Sequence, residues 1–287
     1  MMKRIGIIGG SGLYDIDDLE NKKWQEVKTP FGKPSDEFLL AKFQGKEIAF
    51  LSRHSRGHKL SPSVINYRAN IYAMKALGVN RIISVSACGS LKEELRPLDF
   101  VIPLQFVDRT SQTRNHTFFD QGIVAHIAFA RPVCEDLAKL VYQAAKKAGV
   151  NVHLGGTYLN IEGPQFSTLA ESNLYRNWGM DIIGMTNITE ARLAREAEIC
   201  YTTLAAITDY DCWREEGETV TLEMILDNLN KNVLNSKKIL REFISLISED
   251  RDCSCQEALK YSIITSPKLI PKEAKEKLNI IIGKYIK

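Results

Sequence analysis

Two carboxylates one residue apart, Asp209 and Asp211, stand in Thr208-Asp209-Tyr210-Asp211-Cys212-Trp213, directly after an apolar run over residues 199–207. If the extended chain persists, positions i and i+2 share a side, so both acids face one ligand and Tyr210 turns away. Like charges that close raise one pKa, which keeps a carboxylic acid able to donate a proton near neutral pH. The pattern also fits a plain strand exit whose acids cap the next segment.

Four further strand-like ends carry groups suited to an oxyanion. Gly10-Ser11-Gly12 follows residues 4–8 and can wrap backbone N–H groups and the Ser11 hydroxyl around an anion. Arg53-His54-Ser55-Arg56-Gly57-His58 offers a planar guanidinium fork beside an imidazole whose charge responds to a ligand. Ser84-Val85-Ser86-Ala87-Cys88-Gly89-Ser90 and Met185-Thr186-Asn187 add small hydroxyl residues at two more ends. One oxyanion site at the carboxyl edge of a sheet requires such a set. Other motifs fail on the same residues. A dinucleotide fingerprint would need glycine where Asp15 stands, and a Walker loop would need Gly-Lys-Ser or Gly-Lys-Thr. A metal pair at His54 and His58 lacks both a helix to present it and a third ligand, so no metal is expected.

The elements that must position these groups alternate between strand and helix without a repeat. Residues 4–8 read as a buried strand, and 37–43 with 47–52 as a hairpin turning at Gln44-Gly45-Lys46. Ser61-Pro62 predicts a helix start, with the helix ending near Gly78. Residues 81–86 form a strand that breaks at Cys88-Gly89-Ser90. A second helix follows Pro132 to near Gly149, strands run to about Ile161, and a third helix spans about Thr168 to Gly179. Residues 181–185 read as strand, 187–196 as a short helix and 221–247 as a long amphipathic one. The lysine-rich end, from Lys260 to Lys287, reads as a solvated amphipathic face packed on the domain. The alternation reads as an α/β chain, long enough for one large domain or two small ones.

Composition narrows the partners. With 287 residues, 44% hydrophobic, 25% charged and a net charge of +3, the chain can bury a full core and lacks the basic excess of a nucleic-acid binder. Met1-Met2-Lys3-Arg4 is followed by too short an apolar stretch for a signal peptide, and no apolar run approaches the roughly 20 residues of a membrane span. The expectation is a cytoplasmic protein with no membrane partner. Six cysteines, Cys88, Cys134, Cys200, Cys212, Cys253 and Cys255, show no paired CxxC spacing of a zinc site. Thiols in a reducing cytosol and disulfides of the kind found in hyperthermophiles both remain open.

Taken together, Ile7-Ile8-Gly9-Gly10-Ser11-Gly12, Arg53-His54, Ser86-Ala87-Cys88-Gly89-Ser90, Glu162-Gly163-Pro164-Gln165-Phe166-Ser167, Gly184-Met185-Thr186 and Thr208 to Trp213 resemble the 5′-methylthioadenosine phosphorylases, in order over residues 5–247. The resemblance implies the nucleoside phosphorylase fold, an α/β single domain over residues 1–287 with a mixed central sheet flanked by helices and residues 248–287 as a helical, cysteine-bearing extension, and a homotrimer or dimer of trimers. It implies reversible phosphorolysis of methylthioadenosine to adenine and methylthioribose 1-phosphate, in methionine and purine salvage. Inorganic phosphate is then the co-substrate, and no cofactor is needed. By the same resemblance Ser11, Arg53, His54, Ser86, the Ala87 amide and Thr186 hold phosphate. Met185 lies against the ribose and Phe166 against the base, with Asp209 and Asp211 facing the purine. Ser167, Leu222, Ile225, Leu226, His58 and a neighbouring subunit's His126 tune specificity.

It implies, too, a Cys134–Cys200 disulfide, with Cys253 and Cys255 bonded to each other or redox-active. Gln165 and Gly184 depart from the Arg and Asn that some members carry, which bears on substrate range. Three other readings compete. A purine nucleoside phosphorylase acting on adenosine or inosine shares the phosphate motifs, but the 6-oxopurine branch replaces the acid pair. A non-catalytic nucleoside-binding protein could lose the phosphate ligands, all of which are present here. A nucleotide-binding oxidoreductase needs the fingerprint that fails at Asp15.

Overall fold

The computed structural model describes residues 3–10, 12–111, 114–120, 122–214, 222–248 and 250–286, without the side chains of 222–226. Among the described residues, eleven strands form one mixed sheet: β1 (Arg4–Gly9), β2 (Glu20–Gln25), β3 (Phe38–Phe43), β4 (Lys46–Ser52), β5 (Val79–Ser90), β6 (Phe100–Ile102), β7 (Gln105–Arg109), β8 (Val152–Leu154), β9 (Thr157–Ile161), β10 (Ile182–Gly184) and β11 (Cys200–Asp209). Seven α-helices accompany them: α1 (Tyr67–Ala76), α2 (Glu135–Lys147), α3 (Leu169–Asn177), α4 (Asn187–Glu196), α5 (Leu222–Leu246), α6 (Lys272–Lys277) and α7 (Asn279–Ile282).

β5 is the axis of the sheet. One edge runs parallel to β1, the other parallel to β11, and its last residues pair antiparallel with β10. Because β1 is also parallel to β4, the carboxyl ends of β4, β1, β5 and β11 lie along one edge. β10 enters from the opposite direction, pairing Ile182 with Ser90 and Ile183 with Gly89, so the chain after Gly184 runs back alongside β5. That reversal carries Met185 and Thr186 to the same edge as the parallel strands.

Period-two alternation sorts the central strands into two apolar layers. Ile5, Ile7, Ile83, Val85, Leu204 and Ala206 pack with Leu137 and Val141 of α2 and Ile239 and Phe243 of α5. Ile8, Leu51, Ile82 and Tyr201 pack on the other side with α1, α4 and Leu259, Ile270, Leu278 and Ile281 of the C-terminal segment. Coverage of both faces explains why β1, β5 and β11 are buried along most of their length. No described helix is long and apolar enough to cross a membrane.

Local differences from the sequence reading have identifiable causes. Ser61-Pro62 opens only a single 3₁₀ turn, Pro62–Val64; α1 begins at Tyr67, where the Asn66 side chain accepts the Ala69 N–H at 3.1 Å. β5 does not break at Cys88 but continues through Gly89 and Ser90, because β10 and β11 both supply pairing partners there. β2 carries the exposed sequence Glu-Asn-Lys-Lys-Trp-Gln, with no apolar alternation to announce it. Ser254–Glu257 likewise forms a single 3₁₀ turn ahead of α6 and α7.

Helix α3 carries Ser172 toward the acid pair and starts with a reciprocal cap: Thr168 Oγ1 accepts the Glu171 N–H at 3.2 Å, and Glu171 Oε2 accepts the Thr168 N–H at 2.8 Å. Thr168→Ala should lower stability by about 1 kcal/mol, read as a shift of the urea midpoint at unchanged slope.

Candidate active site

The carboxyl edge of the sheet is built over a buried polar network. Residues 82, 84, 86 and 88 of β5 and 201, 203, 205 and 207 of β11 share one face of the sheet. Ile82 and Tyr201 belong to the apolar layer, but Ser84, Ser86 and Thr203 replace it where the first turn of α4 arrives. Asn187, fully buried, joins them. Its Nδ2 donates to Ser84 Oγ, the Tyr201 hydroxyl and Thr203 Oγ1, each at 3.0 Å; its Oδ1 accepts from Ser86 Oγ at 2.7 Å and the Tyr158 hydroxyl at 2.9 Å. One turn on, Glu190 accepts from Ser84 Oγ at 2.6 Å and the Tyr201 hydroxyl at 2.9 Å.

Arg53 enters this network from the end of β4 and is 3% exposed. Its Nε and Nη2 donate to the Glu190 carboxylate, Nη2 also to Ser84 Oγ, and Nη1 to the Val85 carbonyl at 3.2 Å. Burial opposes the charge on Arg53, and the facing Glu190 carboxylate more than restores it, so the guanidinium stays protonated. Of five N–H groups, four are committed among the described residues, leaving one Nη1 proton for a ligand. The guanidinium is thus first a structural cation, and a ligand anion sees it largely screened by Glu190.

His54 is the more exposed member of the pair and stacks on His58, ring centroids 4.3 Å apart. Burial and the neighbouring Arg53 charge push its pKa down to about 4. Its Nδ1 lies 2.8 Å from the Leu60 carbonyl, which can only accept, so Nδ1 carries the proton and Nε2 of the neutral ring is left as an acceptor. Ala87 is exposed near the carboxyl end of the otherwise largely buried β5, which leaves its surface open to a ligand. Thr186 is buried at the start of α4, its hydroxyl 3.2 Å from Asn187 Oδ1. Ser11 lies outside the described residues.

Asp209 is the last residue of β11, and Asp211 adopts φ 54° in the turn beyond it. The strand therefore does not persist to Asp211; a left-handed turn brings the acids together instead. The Asp211 N–H donates to Asp209 Oδ1 at 2.8 Å, and Thr208 Oγ1 donates to Asp209 Oδ2 at 2.7 Å. Ser172 donates to Asp211 Oδ2, and the Trp213 indole N–H to the Ser90 carbonyl at 2.8 Å, which anchors the turn on β5. Both acids have raised pKa values with burial as the principal cause. Like-charge repulsion from Asp211 is the least of the causes acting on Asp209, so the expected like-charge effect is corrected to a desolvation effect. Thr208 Oγ1 also lies 3.3 Å from the Cys88 carbonyl. A protonated Asp209 can donate to that hydroxyl while the hydroxyl turns to Cys88, which gives the neutral acid a partner.

Gly89 sits against both acids: a Cβ there would lie 3.1 Å from Asp209 Oδ1 and 3.4 Å from Asp211 Cβ. At Gly184 a Cβ would collide with the Tyr158 ring and hydroxyl, so the departure from Asn at this position goes with Tyr158 filling the space. Gly163 packs on Met185, whose carbonyl accepts from Arg114 Nη1 at 2.7 Å. Arg114 also holds the Glu162 carboxylate at 2.9 Å and its carbonyl at 2.6 Å, fixing the loop that bears Phe166. Phe166 itself is 71% exposed, an open face rather than a packed one. Ser167 Oγ is buried, and a hydrogen bond from it is among the causes that hold down the Asp211 pKa.

The remaining sequence candidates are distributed more widely. His58 is exposed and stacks on His54. His126 is exposed too; its backbone N–H donates to the Ser262 carbonyl at 2.8 Å, and no contact among the described residues joins it to the acids. The side chains of Leu222, Ile225 and Leu226 lie outside the described residues. Cys134, Cys200, Cys253 and Cys255 stand as free cysteines, drawn into one group rather than into the two implied disulfides. Glu190, Tyr158, Tyr201 and Arg114 escaped the sequence reading. The first had a signal: Asn187, Glu190, Ala191 and Ala194 share one helix face, and a carboxylate on an otherwise apolar face needs a buried cation.

A parallel-strand edge carrying small hydroxyls, an imidazole and a protonatable acid is the site of an enzyme that handles an anion beside a leaving group. A family model described as the phosphorylase superfamily matches residues 4–245. The S-methyl-5′-thioadenosine phosphorylases of Koribacter versatilis and Geobacter sulfurreducens are 56% and 55% identical, over 99% and 100% of this chain and 97% and 100% of theirs. A methylthioadenosine phosphorylase structure from an Antarctic soil metagenomic library superposes with a TM-score of 0.94 at 45% identity, covering 98% of this chain and 99% of that one. The Schistosoma mansoni methylthioadenosine phosphorylase in complex with adenine gives 0.82 at 37%, over 91% and 96%. The chain belongs to the phosphorylase superfamily and, within it, to the S-methyl-5′-thioadenosine phosphorylase family.

Two outcomes test the network. Glu190→Ala leaves a buried guanidinium unpaired and should cost about 3 to 5 kcal/mol, whereas the apolar double variant Arg53→Met/Glu190→Leu should recover much of it; urea unfolding distinguishes them. His54, held below its unfolded pKa, binds a proton in the unfolded chain first. Stability should therefore fall as pH drops from about 6.5 toward about 4, and His54→Gln should flatten that slope.

Proposed function

We propose that the protein catalyses reversible phosphorolysis of 5′-methylthioadenosine, releasing adenine and 5-methylthioribose 1-phosphate. The observation that carries this reading is the pair Asp209 and Asp211, held protonatable by burial at the same sheet edge as the anion-binding segments. Phosphate is held by Ser11, the remaining Nη1 proton of Arg53, Ser86, the Ala87 amide and Thr186, and His54 Nε2 accepts the proton of hydrogen phosphate. It attacks C1′ as the bond to N9 breaks, with positive charge on the sugar and negative charge on the purine. Asp209 gives its proton to N7 and leaves as a carboxylate that already accepts from Thr208 and the Asp211 N–H.

Asp211, fixed by Ser172, accepts from the exocyclic 6-amino group, which disfavours a 6-oxopurine. Met185 packs on the ribose, Phe166 covers the base, and Leu222, Ile225 and Leu226 close the methylthio end, with His58 and a neighbouring subunit's His126 at the rim. Specificity also rests on Ser167, whose hydroxyl lies beside the Asp211 carboxylate. The chain acts as one domain with residues 248–287 as its extension. It works as a homotrimer or dimer of trimers in the cytoplasm, with phosphate as co-substrate, no cofactor, and neither nucleic acid nor membrane as partner.

Phosphate-dependent release of adenine from methylthioadenosine, with adenosine and inosine alongside, tests the reading. Asp209→Asn should lower kcat by about 10² to 10⁴. In the unmodified enzyme, activity should decline as pH rises through the raised Asp209 pKa, and this limb should vanish in the variant. Inosine cleavage as fast as that of methylthioadenosine would overturn the assignment of the acid pair.

A further inference from the structure

At the opposite end of the sheet, four cysteines converge. The Sγ atoms of Cys134, Cys200, Cys253 and Cys255 all lie within 4.8 Å of one another, with Cys200 and Cys253 3.2 Å apart. Three are buried and Cys253 is half-buried, which leaves one path of entry from solvent. They come from three places: Cys134 is the residue before the first turn of α2, Cys200 begins β11, and Cys253 and Cys255 belong to the 3₁₀ turn after α5. Spacing along the chain hides such a set, because only two of its members are close in sequence.

We propose that Cys134, Cys200, Cys253 and Cys255 form a tetrathiolate site for one Zn²⁺ ion. A tetrahedral zinc with Zn–S bonds of about 2.3 Å holds its sulfurs about 3.8 Å apart, which small side-chain adjustments reach from the spacing observed. A cubane iron–sulfur cluster holds its cysteine sulfurs farther apart than this cage allows. Binding transfers a proton from each of four thiols to solvent, and each sulfur gives a lone pair to the metal; no electron changes hands. The product carries a net charge of −2, and the surroundings are built for it. Arg251 Nη1 is 3.4 Å from Cys200 Sγ, and the mostly buried Arg81 lies within electrostatic reach of Cys200, Cys253 and Cys134. The amino end of α2 adds its partial positive charge at Cys134.

The site would tie the turn bearing Cys253 and Cys255 to α2 and β11, and with it the segment that continues into Leu259, Ile270 and Leu278 on the other face. Elemental analysis of the full-length protein, purified under reducing conditions without chelator, should find about one zinc per chain. The Cys253→Ser/Cys255→Ser variant should lose it, while Cys212→Ser, an exposed cysteine outside the group, should keep it. Because the double variant disturbs a buried turn, the unmodified protein provides a second measurement. Stripped of metal and given Co²⁺, it should show the intense absorption of a tetrahedral cobalt tetrathiolate. Failure of the reduced protein to take up Zn²⁺ or Co²⁺, zinc retained in the double variant, iron in place of zinc, or peptide mapping that finds disulfides among the four would each overturn the proposal.

Discussion

The buried ion pair between Arg53 and Glu190 is the constraint on which the active edge depends. Each guanidinium or carboxylate buried alone would cost several kcal/mol, so neither can leave without the other. Arg53 fixes the chain after β4, and Glu190 fixes the first turns of α4. Between them, Ser84 and Tyr201 commit β5 and β11. Asn187 extends the same network to Ser86, Thr203 and Tyr158, so five separate elements share one set of hydrogen bonds. Such a network favours a single arrangement, since any displaced member leaves a polar group in an apolar layer. Met185 and Thr186, immediately before α4, inherit their position from it.

The acid pair is set by a different balance. Two hydrogen bonds to Asp209 favour the carboxylate, and burial favours the acid; burial wins, and the pKa rises. A strand exit alone would not produce this. It requires Gly89 to leave room on β5, Trp213 to pin the following turn, and Ser172 on the capped helix α3 to orient Asp211. The acid thus sits where it can be neutral without substrate and charged after giving its proton up, with Thr208 able to serve either state.

Much of this was legible in the chain. The hairpin of β3 and β4, the short helix at Asn187–Glu196 and the long one at Leu222–Leu246 follow from their patterns, and Arg53 joins Ser86 and Thr186 through Ser84 and Asn187, although Ser86 lies inside β5 rather than at its end. The illegible part is what depends on partners distant in sequence. Glu190 acquires its meaning only opposite Arg53, and Arg114 only beside Glu162 and Met185. The start of α1 moved because the Asn66 side chain, not Ser61, had a free N–H to accept. The like-charge argument for the acids named the right direction and the wrong principal cause, since burial cannot be read from adjacency.

β11 joins the two ends of this design. Its ten residues run from Cys200 in the thiol group to Asp209 at the acid pair, a span of roughly 30 Å at about 3.3 Å per residue. Every residue between them is buried, so the strand is held on both faces and by β5 and β6 along its edges. A strand so held transmits little motion, and that separates two demands that otherwise conflict. The amino end can be stabilised by cross-linking through sulfur, which tolerates no movement. The carboxyl end must still admit a nucleoside past the exposed Phe166 and release a purine. Placing the thiol group at one end of β11 and the proton donor at the other keeps any cross-link of the C-terminal segment about 30 Å from the acid pair.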